Sequence, residues 1–313
     1  MMQSIKIAGK PMSMIMNEER YEDGLTPYDF ASLVPDWDKI QKGTWNGTNW
    51  MEEIRNKNAL ITNHAINITG GTERSTFSSG ISYTYQDGIL GKPCEPNFTR
   101  YTVRINSDHK VLKKNDFDLL TIGENLTYTY NQTRGINIGD NYSNDIRNML
   151  LTSPFLPNYD ADGNYHYAIP WEIREPNPVG KMYYSNYGSK SKNHNIRAAL
   201  YATLQPIKNL KIKTNFGFTL GVSSSRSFSP AYKLSSNTMS DLSNVSQSMS
   251  SGCSLMWENT ATYNFKLAQK HAASIYPVGL CSLPELRLSS EIGSSVYPPL
   301  RPETGFEVAG QAK

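Results

Sequence analysis

The stretch GGTERSTFSSGISYTYQDGIL, residues 70–90, decides the fold class because its residues alternate in character. One alternate set is mostly apolar and rich in rings: Phe77, Ser79, Ile81, Tyr83 and Tyr85. The other set is small or polar: Ser78, Gly80, Ser82, Thr84 and Gln86. Successive side chains of a strand point to opposite faces, so the stretch predicts a β-strand with an apolar face and a polar face.

The same alternation recurs along the chain from about residue 63 onward, with turn residues between the alternating runs. It predicts strands on either side of the opening stretch, at 63–71, 98–106, 118–131, 196–205, 210–222 and 254–267, and the beginning of one more at 271–276. Strands of about 10 to 14 residues exceed the usual length in globular sheets and match a tilted membrane crossing.

The links between these strands alternate between short and long. The link at about 132–192 is very long, and the one at about 223–245 is long and rich in serine. Short turns on one side and long loops on the other are typical of an outer-membrane β-barrel. Rings near strand ends, such as Tyr128, Tyr130 and Tyr263, favour the same interpretation because aromatic side chains settle at the headgroup level. A soluble β-sandwich also alternates, so an adhesin or carbohydrate-binding module is the alternative.

The composition excludes several other classes of protein. The 313 residues have a mean hydropathy of −0.52 and contain no run of the roughly 18 apolar residues that suggest a membrane-spanning helix. The scattered net charge of +3 gives no argument for nucleic acid as a partner. The 3 cysteines and 5 histidines have no metal-ligand spacing, and no hydrolase motif occurs. We therefore expect no enzyme, no metal site and no cofactor.

Several motifs together resemble one known family. They are GTNWMEEI (47–54), NHAINITGGTERSTFSSGISYTYQDGIL (63–90), FTRYTVRINSDHKV (98–111), TIGENLTYTY (121–130), PFLPNYDADGNYH (154–166) and WENTATYNF (257–265). In this order, over roughly residues 25–276, the chain closely resembles the SusC/RagA family of TonB-linked outer-membrane proteins from Bacteroidetes.

The resemblance implies a fold and a function. Family members form barrels of about 22 strands closed by a plug, and they work in the outer membrane with a SusD-type surface lipoprotein. They import oligosaccharides or peptides, powered by the TonB–ExbB–ExbD system acting through the plug. Because they are much longer than this chain, we expect an internal fragment: an all-β, partial antiparallel transmembrane barrel of seven or eight strands, without a plug and unable to transport by itself. Phe77 and Ile81 would face lipid, and Ser78 and Ser82 the water-filled interior.

The chain divides into three parts under this interpretation. Residues 1–62 are expected to be the remnant of an extracellular loop, and residues 63–276 to be barrel strands interrupted by an extracellular insert at about 132–192. From Pro277 onward the family motifs end and five prolines occur, so residues 277–313 are expected to be irregular, as a shift of the reading frame would produce.

The insert is the one place where the sequence suggests ligand contact. Its aromatic side chains could stack on sugar rings, or they could pack the loop onto itself or onto the lipoprotein. The candidates are Tyr159, Tyr165, Tyr167, Trp171, Tyr183 and Tyr184. The nearby DADGN, residues 160–164, lacks the further ligands of a calcium loop and is therefore predicted to be a turn.

Overall fold

A computed structural model describes residues 6–7, 10–114, 116–140, 144–170, 176–267, 271–275, 278–282 and 286–296. Its elements, in chain order, are β1 (Lys6–Ile7), β2 (Lys10–Pro11), α1 (Met12–Glu22), α2 (Phe30–Leu33), α3 (Trp37–Gln41), α4 (Trp50–Glu53), β3 (Ile61–Gly71), β4 (Ser75–Asp87), β5 (Asn97–Lys114), β6 (Phe117–Arg134), α5 (Asp145–Leu151), α6 (Pro178–Asn186), β7 (Lys190–Ile207), β8 (Leu210–Ser229), β9 (Tyr232–Lys233), β10 (Met239–Ser240), β11 (Ser243–Leu267), β12 (His271–Ile275), β13 (Val278–Ser282) and β14 (Leu286–Val296).

One antiparallel sheet dominates the structure. Its long strands pair in the order β3-β4-β5-β6-β7-β8-β11, and β12, β13 and β14 all pair with the free side of β11. Each predicted strand is present, so the prediction of seven or eight antiparallel strands is confirmed. The sheet is open, because β3 and the strands beyond β11 do not pair with each other among the described residues.

The expectation of an irregular tail is wrong for the described part of residues 277–313. β12, β13 and β14 pair in succession with positions 263–267, 256–260 and 243–253 of β11, so together they follow one interrupted strand. Pro277 and the residues after Ser282 up to Pro284 lie outside the described residues, whereas Val278–Ser282 and Leu286–Val296 are strands.

Both ends of the serine-rich link at 223–245 are strand, which the alternation of apolar residues did not indicate. β8 runs to Ser229 and β11 begins at Ser243, so only residues 230–242 connect them. Hydroxyls pair across the two strands, with 2.7 Å between Oγ of Ser223 and Ser250 and 2.6 Å between Oγ of Ser225 and Ser248. Such cross-strand hydroxyl pairs stabilise a sheet without apolar side chains.

The sheet has the two faces that the sequence predicted. Ile66, Ile81 and Val103 lie side by side on one face, which we call the apolar face. On it Ile66 and Ile81 are 71% and 60% exposed, because no second sheet covers this face among the described residues. The β-sandwich alternative requires such a cover, and its absence from the described part of the chain leaves the barrel interpretation.

A row of rings crosses the apolar face over five strands. His64, Tyr83, Tyr101, Tyr130 and His194 follow one another on β3 to β7, with centroid distances of 6.4, 4.9, 6.2 and 4.9 Å between successive rings. The row lies between the aliphatic part of the face and the long loops. Aromatic side chains occupy this level at the border between hydrocarbon and headgroups.

The long loops all lie at one end of the sheet, the loop end, and the short links at the other, the turn end. Residues 72–74 and 208–209 are short links at the turn end, whereas 88–96, 135–189 and 230–242 connect strands at the loop end. The six helices of the described residues lie at the loop end: α1 to α4 precede β3, and α5 and α6 lie between β6 and β7. No helix of the described residues is long and apolar enough to cross a membrane.

Candidate functional site

The loop-end segments pack into one body, which we call the loop body: residues 10–60, 88–96, 135–140, 144–170, 176–189 and 230–242. The core of the loop body joins the segment before the first long strand to the insert. The buried apolar side chains are Phe30, Val34, Trp50, Ile54, Met149, Phe155, Leu156, Ile169, Val179 and Met182. The insert is therefore folded against the N-terminal segment rather than extended into solvent.

Asparagine caps fix where three helices of the loop body begin. Asn49, Asn144 and Asn177 each accept a hydrogen bond from a backbone N–H in the first turn of α4, α5 and α6. A side-chain oxygen at this position satisfies a donor that the helix itself leaves free. These caps place Trp50 and Val179 on the faces that enter the core.

Hydrogen bonds join the N-terminal segment to the insert. The Trp50 indole N–H donates to the Ser153 carbonyl at 3.0 Å, and the Thr48 hydroxyl donates to the Leu156 carbonyl at 2.7 Å. Asn158 donates through Nδ2 to a carboxylate oxygen of Glu53 at 2.8 Å. Since buried polar groups are costly when unpaired, these bonds specify one way of packing the two segments together.

The predicted site tyrosines are mostly brought together. Tyr165 stacks on Tyr159 with centroids 5.3 Å apart, and it also contacts Tyr183 at 5.6 Å and Tyr184 at 5.7 Å. Gly180 of α6 allows this approach, because a Cβ there would lie 2.8 Å from the Tyr165 ring. Tyr232 of β9, which sequence reasoning missed, lies parallel to Tyr184 at 5.0 Å.

Within this cluster Tyr159 is exposed, and Tyr165, Tyr183, Tyr184 and Tyr232 are partly buried. Burial raises the pKa of the Tyr183 phenol to about 12, and it raises the pKa of the Tyr165 and Tyr184 phenols as well. These hydroxyls therefore stay neutral at physiological pH. Tyr159 and Tyr167 are 49% and 44% exposed and present ring surface to solvent. Trp171 lies outside the described residues.

The segment at 160–164 is a turn, as predicted. The Asp160 carboxylate accepts hydrogen bonds from the backbone N–H of Asp162 at 3.0 Å and of Asn164 at 2.8 Å. Gly163 takes a φ of 82°, which a glycine adopts without strain. Within the described ranges, no group of three or more His, Cys, Asp or Glu side chains is placed to hold a metal ion.

A second candidate site lies on the polar face of the sheet, opposite the apolar face. A depression of about 920 Å³ there is lined mainly by alternate side chains of β5, β6, β7, β8 and β11. Three of them are arginines, Arg100, Arg104 and Arg197, which we call the arginine patch. Thr127 of β6 is the register partner of both Arg104 and Arg197, so these two arginines flank it in one row. The alternation in the sequence put each arginine on the polar side but not next to the others, since that needs the register.

Cys94 illustrates how tightly the loop body is packed. Burial, with a smaller contribution from the Asp145 carboxylate, raises the pKa of its thiol to about 12, and Sγ lies 3.6 Å from the Met182 carbonyl that it donates to.

Only thiolates react readily with alkylating reagents. We expect iodoacetamide at about pH 8 to modify Cys94 about a hundredfold more slowly in the folded chain than in the chain unfolded by urea. Peptide mapping by mass spectrometry measures both rates, and equal rates would contradict a buried Cys94.

Two known proteins are similar to this chain in sequence. The chain is 29% identical over 177 residues to TonB-dependent receptor P3 of Formosa agariphila, a match covering 55% of this chain and 16% of the receptor. It is 22% identical over 234 residues to TonB-dependent receptor P26 of the same bacterium, covering 73% of this chain and 21% of the receptor. The chain matches no protein-family model.

Solved structures agree with the sequence relatives. A chain of the RagAB peptide transporter superposes with a TM-score of 0.69 at 16% identity, covering 92% of this chain and 33% of that one. The RagAB peptide importer in its open-open state gives a TM-score of 0.67 at 16% identity, covering 90% of this chain and 32% of that one. The chain thus spans about a third of the length of these solved chains. It matches 16% and 21% of the length of the two curated receptors. With the sheet, its two faces and its loop end described, the resemblance seen in the sequence is confirmed: this chain is similar in sequence to part of two TonB-dependent receptors and in fold to part of the RagAB transporter.

Proposed function

We propose that the protein containing this chain imports oligosaccharides or peptides across the outer membrane, together with a SusD-type surface lipoprotein. The observation that carries the proposal is the split between the two faces of a sheet at least seven strands wide. Its exposed apolar face suits contact with lipid, and its polar face suits a water-filled interior through which a polar solute passes. The proposed role is transport rather than catalysis.

The loop body is the proposed extracellular surface of the transporter. It groups all the long loop segments at one end, beyond the row of rings that marks the border of the membrane. We infer that the lipoprotein contacts this body and that the exposed rings of Tyr159 and Tyr167 meet the cargo or the lipoprotein. The RagAB structures are named as a peptide importer, which supports a two-component system and peptides as one cargo class.

The energy for import is proposed to come from the TonB–ExbB–ExbD system acting on a plug. The two curated relatives are named as TonB-dependent receptors, which supports this coupling. The described residues form wall strands and the loop body, with no separate plug domain among them. An open sheet leaves unpaired strand edges, which hydrocarbon does not tolerate. This chain alone is therefore proposed to be unable to transport.

Uptake measurements in the cells that make the complete protein test this function. Uptake of fluorescent oligopeptides or oligosaccharides is expected to fall to background when the gene containing this chain is deleted, and also when tonB is deleted. The complete gene should restore uptake, and the segment encoding only these 313 residues should not. Uptake that survives loss of tonB would contradict the proposal.

A further inference from the structure

The arginine patch on the polar face has no acidic partner in the described part of the chain. The ion pairs of the described residues involve other side chains, and Arg100 donates through Nε to the neutral amide oxygen of Asn131 at 3.0 Å. All three arginines are exposed on a concave surface. Their charges are therefore not neutralised by the wall that carries them.

The nearest acidic groups on the same face lie towards the turn end. Asp108 is four residues beyond Arg104 on β5, which separates their Cα atoms by about 13 Å, and it already accepts a hydrogen bond from the Tyr201 hydroxyl. Glu258 is four residues beyond Ser254, the last lining residue of β11. The central part of the polar face thus carries positive charge alone.

Most of the other lining residues are threonine, serine or asparagine, which are neutral hydrogen-bonding groups. The register sets three rows across five strands. The rows are Arg100-Asn131-Asn193-Ser223-Ser250, Thr102-Thr129-Asn195-Gly221-Gly252 and Arg104-Thr127-Arg197-Thr219-Ser254. Amides and hydroxyls at this density can hydrogen-bond a polar oligomer while the guanidinium groups fix its charged substituents.

A pair of glycines opens the middle row. Gly221 and Gly252 are register partners, so two adjacent positions lack side chains. A Cβ on Gly221 would come no closer than 3.8 Å to a neighbouring atom, the Asn195 amide nitrogen, so packing does not require glycine there. Glycine within a strand often marks a bulge, a tight bend of a barrel, or a place where a ligand or another chain approaches the backbone; the register has no bulge at Gly221 or Gly252.

We propose that the arginine patch is a carboxylate-binding site on the inner wall, and that the transporter selects cargo with carboxylate groups. This proposal rests on the proposed function, since it needs the polar face to line the path of the cargo. The planar fork of arginine donates two parallel hydrogen bonds to a carboxylate. Within a barrel surrounded by hydrocarbon, a surface of one sign also concentrates counter-ions of the other sign. Acidic peptides and uronic-acid oligosaccharides both present such groups.

Binding to the complete transporter in detergent tests the proposal with matched probes. One pair is a pentapeptide with two glutamates and its glutamine counterpart; the other is tetragalacturonate and neutral galactotetraose. The double variant R104Q/R197Q is expected to bind the acidic member of the relevant pair about tenfold or more weakly, because hydrogen bonds to charged groups are lost. Raising the salt from about 0.05 M to about 0.5 M should weaken acidic binding to the native protein and leave neutral binding unchanged. The pair that responds identifies the source of the carboxylate.

The exposed Lys208, in the link between β7 and β8, provides a control for charge alone. K208Q removes one positive charge at the turn end, and we expect its affinities to stay within about twofold of the native ones. If R104Q/R197Q binds both members of each pair as the native protein does, the proposal is wrong and the arginines serve contacts within the barrel. That outcome leaves TonB-dependent uptake intact, whereas failure of the proposed function would appear as uptake without TonB.

Discussion

Arginine at position 81 is expected to block insertion of the complete barrel into the outer membrane. Ile81 lies in the middle of β4 between Ile66 and Val103 on the apolar face, and it is 60% exposed in this chain. An arginine on the lipid face costs about 2–4 kcal/mol at the bilayer midplane and less towards the interfaces, and Ile81 lies inside the hydrocarbon, two residues from the ring row at Tyr83. Its neighbours offer no acidic partner, so Ile81→Arg should leave the protein in the aggregated or degraded fraction.

The adjacent position gives a matched control for this substitution. Ser82 lies between Ala65 and Thr102 on the polar face, one residue along the same strand. Ser82→Arg adds the same side chain to the face that meets water, so we expect its insertion to match that of the native protein. Heat-modifiable migration of outer-membrane fractions on gels measures folded barrel in both variants. Equal insertion of the two variants would mean that the faces are assigned wrongly.

The sequence predicted the sheet well because the signal for a strand is local. In β4 the side chains of Ile81 and Ser82 differ in character within two residues, and that alternation alone assigns the faces. The alternation of apolar and polar residues gave no prediction where polar side chains occupy both faces of a strand. From Ser223 to Ser229 and from Ser243 onward, hydroxyl pairs replace apolar side chains, so a real strand pair looked like a polar loop.

The candidate sites were only partly predictable because they depend on distant contacts. The tyrosines of the insert were visible as a group of rings, but Tyr232 reaches them from another loop. Arg104 and Arg197 are far apart in sequence and become neighbours only through the register with Thr127. A reader of the sequence could have found them by pairing the predicted strands in order and comparing their polar faces row by row.

The loop body was missed for a related reason. Its helices α2 to α6 have 4 to 9 residues, which is too short for a helical period to stand out. The Trp50 indole bonds to a carbonyl 103 residues away, so nothing near Trp50 in the sequence indicates that it is buried. The helices owe their stability to this packing rather than to their own sequences.

Replacing Trp50 by alanine is therefore expected to open the loop body while leaving the sheet intact. Trp50 is 0% exposed, and its removal leaves a cavity and takes one hydrogen bond from the Ser153 carbonyl, which still accepts from the Leu156 N–H at 3.5 Å. Deleting a buried tryptophan costs about 3–5 kcal/mol, so amide hydrogens of α4, α5 and α6 should exchange about a hundredfold or more faster. Exchange in β4 to β7 should not change, because the ladder bonds of those strands do not involve the loop body.

Two further variants separate the contributions of Trp50. Trp50→Phe keeps most of the ring but removes the N–H, so loss of its hydrogen bond to the Ser153 carbonyl should cost about 0.5–1.5 kcal/mol and exchange should rise to an intermediate rate. Glu52→Ala, on the exposed side of α4, should change stability by less than about 0.5 kcal/mol. Hydrogen exchange read by mass spectrometry reports all three variants on the same peptides. If Trp50→Ala speeds exchange equally in the strands and the helices, the loop body is not a separate folding unit. If Trp50→Ala changes exchange in neither, Trp50 does not hold the N-terminal segment to the insert.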